Sequence, residues 1–137
     1  MELNTLYVPV YTSLTVACLI LIQVVLMVSV IKMRGDLGIL IGSGDNEALK
    51  QRIRAHGNFI ENVPTFMIGL VLIELLMGST LWVAILGAIV VLARLAHAFA
   101  LTSSSGVTAG RLLGTLGTAI PMLVVAGCLV YFIGNPF

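Results

Sequence analysis

Four long apolar runs, separated by short polar or glycine-rich breaks, organise this chain. The first extends from about Leu6 to Ile31 and carries no charge between Leu3 and Ile31. Gly35, Gly38, Gly42 and Gly44 then punctuate the stretch from Arg34 to Asp45. Asp45 has the chemistry of a helix N-cap, with Glu47 well placed in a first turn, so a second helix is expected to begin near Asn46. It carries into a span over residues 54–78. The Gly78-Ser79-Thr80 break is short enough to make the flanking helices antiparallel neighbours. A third span covers 81–101, a serine-rich loop covers 102–106, and a fourth span covers 108–133. Runs of about 20 apolar residues match the thickness of a bilayer core. The pattern predicts an all-α, four-helix integral membrane bundle, with residues 1–137 as one domain.

Composition agrees. Of 137 residues, 59% are hydrophobic and 9% charged, against roughly 25% charged in soluble domains. A formal charge of +1 leaves no basic footprint for nucleic acid. Cys18 and Cys128 each lie inside an apolar run, with no C-x-x-C pairing, so they are expected to be small core or lipid-facing residues rather than to ligate a metal or relay a disulfide. With Glu2 and no basic leading segment, the N-terminus does not resemble a cleavable signal. Lys32, Arg34, Lys50, Arg52 and Arg54 flank the first connection, and Arg111 opens the fourth helix. The termini and the 78–80 turn carry no Lys or Arg. By the positive-inside rule the 32–54 and 102–110 loops are cytoplasmic, and both termini face the other side.

The candidate chemistry is concentrated where the second helix enters the membrane, in Arg54-Ala55-His56-Gly57-Asn58-Phe59-Ile60-Glu61. Ionisable groups inside hydrocarbon are costly and mark functional sites by default. Arg54, Asn58 and Glu61 fall at i, i+4 and i+7, on one helical stripe. A cation, an amide and an anion in a row suit a small zwitterionic ligand, or equally a buried structural network. Counting inward from the cytoplasmic ends, Glu61 is level with Arg94 and Asn58 with His97, so these two pairs are expected to meet across the helix two–helix three contact. Glu74, near the outer end of helix two, is expected to snorkel or to make a local hydrogen bond. His56 neighbours the polar stripe without sharing it. Gly110-x-x-x-Gly114, with Gly117 beyond, permits either close packing or oligomerisation.

Taken together, the octet, Asn62, Pro64 and the later Arg94-Leu95-Ala96-His97 resemble the MAPEG superfamily, membrane-associated proteins in eicosanoid and glutathione metabolism. The shared pattern is R-x-H-x-N-x-x-E entering helix two and R-x-x-H in helix three. The H-G-N-x-x-E-x-x-P run is closest to small bacterial members, implying a bacterial inner-membrane location. The resemblance implies a homotrimer that binds glutathione in cytoplasm-facing clefts between subunits. Arg54, Asn58, Glu61, Arg94 and His97 would line or brace the cleft, Arg111 would lie beside the thiol as the catalytic group, and Arg34 would reach a carboxylate. The implied activity is a glutathione-dependent transferase or peroxidase acting on hydrophobic electrophiles dissolved in the bilayer.

Two positions depart from the better-known relatives. Gly57 stands where a second arginine is common, and Leu101 where a tyrosine follows the helix-three histidine. Tyr7, Tyr11 and Tyr131 all map to the opposite membrane end, so Ser103–Ser105 or Thr108 would have to supply any hydroxyl near the thiol. Two other function classes compete with the transferase. One is a structural or assembly protein whose polar network sets helix register. The other is a small multidrug transporter, which would need Glu61 or Glu74 to couple protons, because the first span has no carboxylate.

Overall fold

The computed structural model describes residues 8–103, 106 and 108–135. Leu6 and Tyr7 at the start of the expected first span, and loop residues Ser104 and Ser105, lie outside them. Four helices follow in order: α1 Val10–Leu37, α2 Glu47–Met77, α3 Leu81–Ser103 and α4 Ala109–Gly134. All four are long and apolar enough to cross a membrane. At about 1.5 Å rise per residue they measure roughly 35 to 47 Å, more than the hydrocarbon core of about 30 Å. The excess length is accommodated by tilt or by projection of the helix ends.

Local chemistry sets the boundaries. The first apolar run stops at Ile31, but nothing ends the helix until Gly38, whose φ of 66° suits a left-handed stop. The N–H of Ile39 then closes on the Arg34 carbonyl at 3.1 Å. Asp45 does not cap α2, because it occupies a left-handed conformation at φ 59°. The cap passes to Asn46, whose side chain accepts from the Leu49 N–H at 2.9 Å. Thr108 caps α4 in the same way, accepting from Arg111 N–H at 3.3 Å.

α1 begins differently. Its N-cap is Pro9, which has no side-chain oxygen to offer. The need is met from α2: Glu74, fully buried, accepts the N–H of Tyr11 at 3.0 Å and of Thr12 at 2.6 Å. Ser79 Oγ donates to the same carboxylate at 2.5 Å. A negative group at a helix N-terminus also complements the macrodipole. Glu74 thus makes hydrogen bonds, as expected, but its backbone partners belong to a different helix, and it does not snorkel.

α2 and α3 form the central pair. α1 and α4 each pack on both of them without touching each other among the described residues. Toward the termini end, Phe66, Leu70, Ile73, Val83, Val90 and Val125 cluster; toward the basic end, Leu19, Leu26, Ala55, Phe59, Val63 and Leu101 do so. Lipid is as apolar as these side chains, so close packing and interhelical hydrogen bonds, rather than water exclusion, hold the helices together. The glycine stripe of α4 illustrates this. A Cβ on Gly114 would collide with His97 Cβ, and one on Gly117 would lie 2.8 Å from Ala93 Cβ. Gly110-x-x-x-Gly114 therefore serves close α3–α4 packing within the chain.

Candidate functional site

The first turns of α2 present Glu47, Gln51, Arg54 and Asn58 along one stripe, as their spacings of three and four require. α4 lies alongside and contributes Arg111, Thr115 and Thr118, again at helical spacing. Two recesses open in a row along this α2–α4 seam. The outer one, about 140 Å³, is lined by Glu47, Lys50, Gln51, Arg54, Leu101 and Arg111. The inner one, about 120 Å³, is lined by Asn58, Asn62, Arg94, Thr115 and Thr118, with Ala119 and Met122.

Arg94 of α3 joins the two flanking helices. It is 3% exposed; its Nη1 donates to Asn58 Oδ1 of α2 and its Nη2 to the Gly114 carbonyl of α4, both at 2.8 Å. Its Nε is buried with no hydrogen-bond partner among the described residues. His97, one turn further on, is also buried, and its Nδ1 lies 3.2 Å from the Arg111 carbonyl. A carbonyl can only accept, so Nδ1 carries the proton. His97 thereby holds the backbone of the residue whose guanidinium lines the outer recess. Thr115 Oγ1 donates to the same carbonyl at 2.9 Å.

The expected pairs do not form. Arg94 meets Asn58 rather than Glu61, and His97 meets α4 rather than Asn58. Glu61 instead faces Arg54 on its own helix at 3.8 Å, with both side chains more than half exposed. Counting residues gives depth along a helix but not direction around it. The turn of the helix points Asn58 closer than Glu61 to the buried arc of Ala55, Phe59 and Phe66. The stripe straddles the edge of the bundle, with Asn58 inside it and Arg54 and Glu61 outside.

Arg34 is not brought to the recesses within one subunit. Its Nη1 donates to the carbonyls of Ile39, Leu40 and Gly42 at 3.2, 3.1 and 3.0 Å, tying down the first loop. His56 is half-buried beside the stripe. Leu101 lines the outer recess. Tyr131 stands near the C-terminal end of α4, the opposite end from Arg111. The Thr108 hydroxyl is engaged as the α4 cap. The roles of Gly114, Thr115, Thr118 and Gln51 have no signal in residue type alone. Thr115 and Thr118 do fall at i+4 and i+7 from Arg111, and that spacing is legible.

The arrangement has a charge surplus. Arg54 and Arg111 line the outer recess and Arg94 the inner one; Arg54 pairs with Glu61 at 3.8 Å, and Glu47 and Lys50 pair with each other at 3.7 Å, which leaves Arg94 without a carboxylate among the described residues. Among the described residues no group of three or more His, Cys, Asp or Glu is placed to hold a metal. The chemistry of the seam suits a small anionic or zwitterionic molecule.

The sequence model of the MAPEG family matches residues 12–131. Neither a curated protein nor a solved structure matches the sequence. The match takes in all of the polar seam and nearly all of each of the four helices, and the chain belongs to the MAPEG family.

Proposed function

We propose that this protein is a membrane-bound glutathione-dependent transferase or peroxidase acting on hydrophobic electrophiles. The observation that carries the reading is Arg94, a buried guanidinium with no carboxylate partner among the described residues and an unsatisfied Nε beside the inner recess. A buried cation left uncompensated costs several kcal/mol, about 3–5 where a partner charge is removed, so an anionic ligand would be strongly welcome there. Glutathione fits this donor set, having two carboxylates, an ammonium and two peptide groups. Arg54 and Arg94 would hold carboxylates, Glu61 the ammonium, and Asn58 a peptide group. When bound, glutathione supplies a thiol that, once ionised, attacks an electrophilic carbon or reduces a peroxide. Arg111, whose backbone His97 braces, would hold the negative charge at the sulfur and so favour ionisation. With Leu101 beside it, no phenol among the described residues lines that recess.

The seam opens on the outer face of the subunit, which supports a homotrimer with clefts between copies. Arg34, held on the first loop of its own chain, would join the site only from a neighbouring subunit. The basic loops would face the cytoplasm, with both termini opposite, in a bacterial inner membrane. A second reading, a structural or assembly protein, draws on the two hydrogen bonds by which Arg94 ties α2 to α4. Glu74, sealed as the cap of α1, gives a proton-coupled transporter little to work with.

Calorimetric titration of detergent-purified protein with glutathione separates these readings. Saturable binding is expected, weakened at least tenfold in Arg54→Ala and in Glu61→Gln. Stability should change by less than about 1 kcal/mol in both, since exposed ion pairs contribute little. Absence of binding to the folded wild-type protein would leave the structural reading.

A further inference from the structure

The largest recess among those described lies away from the seam, between α1 and α3 at the basic end. It has a volume of about 470 Å³ and is walled by Leu21, Val25, Ser29, Arg52, Leu95 and Phe99, among others. None of its residues lines the α2–α4 recesses. Its walls are exposed on the surface of the chain: Val25 is 67% exposed and Phe99 74%. Among the described residues that wall it, the one charged group is Arg52, at the end nearest the first loop. Its Nη1 donates to Ser29 Oγ at 2.5 Å, which draws the guanidinium across the mouth of the groove toward α1. Neither ion pair among the described residues includes Arg52.

We infer that this groove is a binding site for an anionic phospholipid, with the phosphate on Arg52 and one acyl chain lying along Leu21, Val25, Leu95 and Phe99. A guanidinium offers a fork of donors that matches phosphate oxygens, and Ser29 accepts from only one nitrogen of it. From Ser29 to Leu21 the groove descends eight residues of α1, about 12 Å, close to the half-thickness of about 15 Å of a bilayer core. Arg52 then sits at headgroup level. A polar soluble anion would find nothing to bind along the apolar walls. A second copy of the chain would have to bring a carboxylate to Arg52 at that depth. Glu61 already faces Arg54, Glu47 pairs with Lys50 and Glu74 is buried at the opposite end, so among the described residues only Asp36 and Asp45 could serve a second copy, and neither would fill the hydrocarbon wall. A phospholipid answers both the cation and the hydrocarbon wall.

The test is native mass spectrometry of the full-length protein in detergent, titrated with phosphatidylglycerol or with phosphatidylcholine of the same chains. Phosphatidylglycerol should be retained about fivefold more tightly, the effect of one well-placed basic residue near the membrane surface. Arg52→Gln should abolish that preference, Arg52→Lys should keep most of it, and Lys32→Gln, which alters a basic residue outside the groove, should leave it intact. Ala98→Trp, which fills the groove, should weaken retention of both lipids. Equal retention of the two lipids by the wild type, a preference untouched by Arg52→Gln, or an equal loss in Lys32→Gln overturns the assignment. So does a photo-cross-linking residue at position 99 that captures a second copy of the chain in place of lipid.

Discussion

Replacing Gly114 with alanine adds one methyl group at the tightest point of the α3–α4 contact. That Cβ would collide with His97 Cβ and sit 2.8 Å from His97 Nδ1 and 2.9 Å from the Ala93 carbonyl oxygen. Two of these three neighbours cannot rotate away, since one is backbone and another is the root of its side chain. Non-bonded heavy atoms settle at about 3.5–4.0 Å, so α4 must retreat by roughly 1 Å. The bonds that cross this contact are 2.8 Å from Arg94 Nη2 to the Gly114 carbonyl and 3.2 Å from His97 Nδ1 to the Arg111 carbonyl. Lengthened by that amount, both leave hydrogen-bonding range. Overpacking costs about 1–3 kcal/mol, and interhelical hydrogen bonds in membranes contribute about 0.6 kcal/mol each. Gly114→Ala is therefore expected to lose about 2–4 kcal/mol in all. The assay is reversible unfolding of the detergent-solubilised protein by titration with sodium dodecyl sulfate, with Gly127→Ala as control, because a Cβ there meets nothing within 4 Å. If Gly114→Ala unfolds at the wild-type midpoint or above it, the α3–α4 contact does not depend on this glycine and the account of the stripe is wrong.

Buried charges supply two more tests. Glu74→Ala should expose the first-turn amides of α1; hydrogen exchange at Tyr11 and Thr12 should accelerate by at least tenfold, reflecting loss of bonds to a charged group at about 1.5–3 kcal/mol each, and unchanged exchange would show that water caps this helix equally well. Arg94→Lys keeps the charge but cannot span Asn58 and Gly114 with one planar fork. It should lower stability by about 1–3 kcal/mol in the same detergent titration, and a silent substitution would reduce the network to a matter of charge alone.

The four helices were legible because a bilayer enforces long apolar runs and collects basic residues at one end. The candidate site was legible in part, for a related reason: Arg94 or His97 inside hydrocarbon draws attention wherever it occurs. Its wiring was not. Counting residues from a helix end gives depth, and the pairing of Glu61 with Arg94 was drawn from depth alone. Whether two such residues meet depends on direction around α2, which is set by packing against α3 and α4. Glu74 shows the same limit. Its partners include amides of α1, far earlier in the chain, and backbone donors carry no mark in a sequence. Gly110-x-x-x-Gly114 announced close approach but not the identity of the neighbour, which turns out to be Ala93, His97 and Ala100.

The two hydrogen bonds of Arg94 also have an order in time. A chain made from its N-terminus delivers α2 and α3 to the membrane before α4 has left the ribosome, so Asn58 is available to Arg94 first and the Gly114 carbonyl last. Until the fourth helix docks, half of that guanidinium fork is unanswered, and neither the Arg111 side chain nor the Thr115–Thr118 wall is in place. The polar seam is thus the final part of the subunit to be completed during biogenesis. A chain truncated before residue 109 would leave the Arg94 guanidinium half-answered within the membrane, a defect that membrane quality control can recognise, and it would never assemble the polar seam.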